Sequence, residues 1–172
     1  MSSARSKTDR YANVITPRVE MSAANTLTFS EIDVGLNLFD KVGLLISRIE
    51  FYSTRFAAEM AASGDFVRMA ITASNQITTI APQENAVIAM EEHSVVEQGT
   101  AASAVIQKEP FVQDWSQLPM NGILVSPKPL YIAANTGGFS QADTIDARIF
   151  FTIVKLKDAE YFELLESRRF FG

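Results

Sequence analysis

The sequence has no cysteine, one histidine and one tryptophan among its 172 residues. Without cysteine there is no disulfide framework, no thiolate metal site and no thiol nucleophile, and the redox compartment leaves no mark. His93 is the sole imidazole for any triad or metal cluster. No apolar run approaches the roughly 18 to 20 residues that cross a bilayer as a helix. No pattern of about ten residues at helical spacing lies between the hydrophobic segments, which excludes a βαβ series. The opening MSSARSKTDRYANV is charged with no apolar segment behind it, so no secretory signal is expected. Asp9 and the missing apolar face argue against a mitochondrial targeting segment as well.

The composition that remains, 47% hydrophobic and 20% charged, is that of a folded chain of one-domain length. Net charge is −5, so the chain as a whole lacks the basic character of a nucleic-acid binder. The first 19 residues run against that balance: Arg5, Lys7, Arg10 and Arg18 face only Asp9. Residues 1–24 are polar, interrupted by Pro17 and without sustained period, and are expected to form an extended basic arm ordered by lying on something else.

From residue 25 onward the period is two. Leu27 and Phe29 alternate with polar neighbours, and VGLLISRIEFY follows with Leu45, Ile49 and Phe51 expected on one face and Arg48 and Glu50 on the other. FVRMAITAS, NAVIAMEEHSVV, AVIQKEPFV, GILV and PLYIAA read as further strands, with Pro110 marking an edge or bulge. IDARIFFTIVKL closes the series with Ile145, Ala147, Ile149, Phe151 and Ile153 on one face. One or two helical turns are expected at Ala57 to Ala62, stopped by Ser63-Gly64-Asp65. A short amphipathic helix is expected from Asp158, placed as its N-cap. Eight strands with turn signals between them predict an all-β fold, an eight-stranded antiparallel β-sandwich of the jelly-roll type. The predicted organisation is the arm at 1–24, the sandwich at 25–157, and a short helix and tail at 158–172.

Chemistry is sparse. Glu91 and His93 share a strand face, but two ligands without a third make a surface strand with polar groups the better reading than a metal site. A Ser-His-Asp triad lacks its Gly-x-Ser-x-Gly elbow, and Ala62-Ser63-Gly64 is better explained as a helix stop. Carboxylate pairs such as Asp143 with Asp146, or Glu91 with Glu109, read as solvated strand edges before they read as glycosidase acids. Asn135-Thr136-Gly137-Gly138 lacks the lysine of a phosphate loop and is a turn that needs positive φ. No catalytic residue, metal or cofactor is expected, and the chain is not expected to be an enzyme.

The two ends and one loop are what a monomeric sandwich does not require. Trp115, Leu118 and Met120 place large apolar groups in a proline-flanked loop, which either folds back on the sandwich or meets another subunit. Phe170 and Phe171 end the chain beside Arg168 and Arg169, where exposure would reduce solubility. Arg5, Lys7, Arg10, Arg18, Trp115, Leu118, Phe170 and Phe171 are therefore the candidate subunit-interface residues.

With the strand series from Leu27 to Leu156, the basic arm and the closing strand IDARIFFTIVKL, the chain resembles viral coat proteins of the single jelly-roll kind. Small coat proteins of membrane-containing or tailless bacterial and archaeal viruses are the nearer comparison. The resemblance covers most of the chain and rests on pattern, not on a diagnostic motif. It implies a structural protein of the virion, assembled in the host cytoplasm, whose copies tile a shell through arm, loop and tail contacts. The implied partners are further copies of the chain and other virion proteins. A surplus of three positive charges in the arm favours subunit bridging over contact with packaged nucleic acid. The rival readings are a carbohydrate- or receptor-binding module using Trp115, Tyr131 and Asp114, and a small sandwich enzyme using His93.

Overall fold

The computed structural model describes residues 12–36, 41–60, 62–95 and 110–169. In chain order its strands are β1 (Asn13–Ile15), β2 (Arg18–Glu20), β3 (Thr28–Glu31), β4 (Val42–Ser53), β5 (Phe66–Thr72), β6 (Val87–Ser94), β7 (Phe111–Asp114), β8 (Ile123–Val125), β9 (Tyr131–Gly137) and β10 (Thr144–Lys155). A single turn, α1 (Phe56–Glu59), follows β4, and the helix α2 (Asp158–Arg169) follows β10. One antiparallel sheet runs β1-β10-β4-β7, with β2 also on β10 and β8 also on β4. The other runs β3-β9-β5-β6.

Each long central strand of the first sheet has its outer edge covered by two short pieces. β1 pairs with Phe151 to Ile149 and β2 with Thr144 to Asp146 of β10. Likewise β8 pairs with Leu44 to Ile46 and β7 with Arg48 to Phe51 of β4. Counted as one interrupted strand each, these pairs bring the total to eight. The first strand then pairs with the eighth, the second with the seventh, the third with the sixth and the fourth with the fifth. That nesting is a long hairpin rolled onto itself, the jelly roll expected from the strand series.

Burial follows the alternation, with one break. On β10, Ile145, Ala147, Ile149 and Phe151 are all buried, as period two requires. On β4 the pairing slips at Ser47, so that Phe150 faces Arg48 while Phe151 faces Ile46. The extra residue inverts the alternation. Leu44 and Ile46 therefore join Ile49 and Phe51 in the core, and Leu45, expected inside, does not.

Within the stretch expected as an arm, residues 13–20 use their extended conformation to pair with β10 of the same chain. Val19 fixes the register by burying its side chain in the core, and Ile15 packs against the same cluster. Pro17, which has no N–H to give, sits at the break between β1 and β2, where its carbonyl accepts from Ala147. At the other end, the helix start is capped by Glu160, whose carboxylate accepts the Lys157 N–H at 2.9 Å. Asp158, expected as the cap, is the first residue of α2 and pairs with Lys41 at 2.8 Å.

Asp143 ties the roll together where β4 ends and β10 begins. Its carboxylate, buried, accepts hydrogen bonds from the Ser53 and Thr54 hydroxyls and from the N–H groups of Arg55 and Thr144. Its own carbonyl receives the Met21 N–H. Three chain segments thus meet at one residue. Gly137 and Gly138 permit the turn before it. A Cβ on Gly137 would lie 2.1 Å from the Phe66 ring, and Gly138 sits at φ +79° against Asp65. Loss of the Asp143 carboxylate leaves buried donors without an acceptor, so Asp143→Ala is expected to lower unfolding free energy by about 2–4 kcal/mol. Urea denaturation measures it, and a change below about 0.5 kcal/mol, the range of an ordinary surface substitution, would contradict this role.

Candidate functional site

The two sheets expose very different outer faces. On the four-stranded sheet, Phe29, Ala133, Ala70 and Met90 form one row across the strands. The connection from β5 to β6 lies over that row and buries Ile80 against the small side chains of Ala70 and Ala133. This face is covered by its own chain.

The six-stranded sheet carries a polar-aromatic grid instead. Register places Arg18, Asp146 and Tyr52 in one row, Arg148, Glu50 and Val112 in the next, and Val14, Phe150, Arg48 and Asp114 in a third. At the centre is Glu50, whose side chain is only 8% exposed although it faces outward. Arg48 pairs with it at 2.6 Å, Arg148 at 3.5 Å, and the Tyr52 hydroxyl donates to it at 2.9 Å. Both guanidinium groups also stand over the Phe150 ring, 5.8 and 5.3 Å from its centroid. Cation and ring attract through the ring quadrupole, which holds the arginine stems flat against the sheet. The carboxylate is buried beneath its partners, and the arginine side chains, nearly half exposed, form the outer layer.

Beside this centre, Thr16, Arg18, Tyr52, Asp146, Ala147 and Arg148 line an open cleft of about 450 Å³. Arg18 grips Asp146 with both nitrogens, at 2.7 and 3.0 Å. That hydrogen-bonded pairing raises the Arg18 pKa further above its usual value. At the opposite margin the Ser116 side chain and N–H hold the Asp114 carboxyl below the usual aspartate range, with Arg48 adding a smaller pull.

Of the exposed large apolar side chains among the described residues, two fall on this face. Val14 and Val112 flank the grid, Leu118 and Met120 stand out from the loop between β7 and β8, and Phe162 projects from α2. Trp115 divides from its loop neighbours. Its N–H bonds the Ser47 carbonyl at 2.8 Å and its half-buried side chain packs against the core, while Leu118 is 41% exposed. Trp115 therefore takes the first of the two alternatives weighed for the loop, folding back on its own sandwich, while Leu118 stays exposed. Arg18 is exposed and paired within its own chain; Arg5, Lys7, Arg10, Phe170 and Phe171 lie outside the described residues.

The rival chemistries fare differently. His93 is not on an open surface strand. It faces the core at the sandwich edge, stacked on Phe111 at 3.8 Å and edge-on to Phe56 at 5.8 Å. Glu91 is 3.7 Å from its Nε2 and accepts instead from Gln113, so the trio stitches β6 to β7 across the two sheets. Among the described residues no three of His, Asp and Glu cluster as metal ligands. Asp143 and Asp146 point into different networks, one buried and one paired to Arg18. Tyr131 opens β9 of the four-stranded sheet, while Trp115 lies in the loop that follows β7 of the other. No described helix is long and apolar enough to cross a membrane.

No protein-family model matches the chain, and no curated protein matches it in sequence. In structure it is similar to VP1 of Trichodysplasia spinulosa-associated polyomavirus, with a TM-score of 0.50 at 8% sequence identity. The match covers 87% of this chain and 97% of that one. The likeness is one of fold.

The grid was only half visible in the sequence. Arg48 and Glu50 alternate with buried residues, but their pairing with Arg148 and Phe150 depends on the β4–β10 register. Replacing the central acid without changing its shape should expose that dependence. Glu50→Gln is expected to cost about 1–2 kcal/mol, below the full loss for a buried pair because the arginines remain partly hydrated. Thermal or urea unfolding of the purified protein checks this; an unchanged midpoint would mean that the arginines do not rely on Glu50.

Proposed function

We propose that this chain is a structural coat protein that assembles with copies of itself into a viral shell. The observation that carries the reading is the nested eight-strand roll, shared with VP1 across nearly the whole of both chains. That neighbour is a viral capsid protein, and a shell is the role its fold suggests for this one.

The surface supports the same reading. A shell subunit needs faces that bury apolar and aromatic groups between copies, and it needs no reaction centre. The ten grid positions of the six-stranded sheet hold three arginines, a tyrosine, a phenylalanine, two valines and three acids, with no lysine. Arginine, tyrosine and phenylalanine are enriched at protein interfaces and lysine is depleted there. Individual contacts in such an assembly can be weak, because each subunit makes several and closure adds them. Arg5, Lys7 and Arg10 serve in this proposal as bridges to neighbouring subunits, with packaged nucleic acid as a weaker partner. Leu118 meets a neighbour as well. Phe170 and Phe171 find cover there too, and the protein resides in the virion.

Sedimentation and negative-stain microscopy of purified protein test the reading together. Closed particles of uniform size are expected at micromolar concentration, and removal of residues 1–11 is expected to change their size or yield. A species that remains monomeric at the highest attainable concentration would overturn the proposal.

A further inference from the structure

The exposed helix carries acids and an aromatic ring, the cleft of the grid exposes arginines, and the two lie toward opposite ends of the sheet. Helix α2 turns Phe162, 62% exposed, and the exposed acids Glu163 and Glu166 outward. Phe162 and Glu166 are four residues apart and Glu163 and Glu166 three, so the three lie on adjoining positions of one face. The grid balances three arginines against Glu50, Asp146 and Asp114, but at the cleft it turns Arg18 and Arg148 outward, their side chains 57% and 48% exposed, beside Tyr52 and the Phe150 ring. Arg148 reaches Glu50 at 3.5 Å and lies over the Phe150 ring, and a guanidinium carries five donors.

Position decides which molecules are involved. The Asp158–Lys41 pair and the Leu156 N–H to Lys41 carbonyl bond fix the start of α2 at the Lys155 end of the sheet. The cleft lies at the Asp146 end, nine residues along the same strand, a separation of roughly 30 Å at 3.3 Å per residue. Phe162 lies four residues into the helix, about 6 Å of rise from Asp158. A molecule's own helix thus starts at the end of the sheet far from its own cleft.

We infer that α2 of one copy docks on the outer face of the six-stranded sheet of another, with Phe162 against Tyr52 and Phe150 and Glu163 and Glu166 on Arg148 and Arg18. The inference rests on the coat-protein reading and specifies one of its contacts. Helix and cleft are different patches, so the contact is head-to-tail, which propagates around a ring or shell and does not stop at a dimer. The acids add to the existing pairs: Glu50 and Asp146 stay beneath the guanidinium groups, and the incoming carboxylates take donors that those leave to solvent.

Charge reversal in the full-length chain tests this. Glu163→Arg with Glu166→Arg is expected to raise the subunit concentration required for assembly on the order of tenfold or more, as loss of close interfacial charge pairs does. Arg18→Glu with Arg148→Glu should do the same, and an equimolar mixture of the two variants should assemble more readily than either alone. Circular dichroism and melting of the dissociated subunits establish that each variant is folded. Where Arg18→Glu with Arg148→Glu fails to fold, Phe162→Ser, which touches no ion pair, takes its place and must weaken assembly by a similar factor. Wild-type assembly that is indifferent to the helix changes would overturn the docking while leaving the shell intact. A wild-type protein that never associates would remove both.

Discussion

The pairing of β4 with β10 is the constraint on which everything else hangs. Eleven residues of each strand are in register, from Ile145 opposite Ser53 to Lys155 opposite Val42, with the single slip at Ser47. Period-two alternation on β10 fixes which side of that ribbon is apolar, and the slip on β4 brings Leu44 and Ile46 round to the same side. Both remaining edges are then filled by short pieces, β1 and β2 on one and β7 and β8 on the other. Asp143 locks the end where the two strands meet their loops.

The same ribbon determines what the outside of the molecule can be. Its outward positions bring Arg48 and Arg148 over one acid and one ring, so that the charges stabilise one another and the surface stays open. The second sheet solves its outer face in the opposite way. Alanines at positions 70 and 133 leave room for Ile80, and a loop of the chain itself closes over them. One face is covered by the chain's own loop and the other is open, an asymmetry in keeping with the proposed shell subunit.

Much of the fold was legible because alternation is a local property. The strand series, the all-β class, the closing strand and the terminal helix follow from side chains two or three residues apart. Three features depend on contacts distant in sequence and could not be read that way. Residues 13–20 looked like a free arm because their apolar content is small; Val19 and Ile15 suffice only once β10 lies beside them. Leu45 was expected inside because nothing in VGLLISRI marks Ser47 as an inserted residue. His93 looked like surface because its neighbours Glu91 and Glu92 are acidic, yet Phe56 and Phe111 close over its ring. Arg18 emerged as a candidate from charge alone, whereas Glu50, Tyr52, Arg148 and Phe150 required the register between two strands a hundred residues apart.

Whether the first strand belongs to its own roll is the point at which the account is most directly open to test. The chain has no cysteine, so a single engineered pair reports without background. Val14 and Phe150 face one another across β1 and β10. Val14→Cys with Phe150→Cys, oxidised in assembled particles and run under denaturing, non-reducing conditions, is predicted to give a cross-linked monomer of altered mobility. A ladder of covalent dimers and higher species would show that the strand crosses to a neighbour, and the fold as described here would be wrong at its first element.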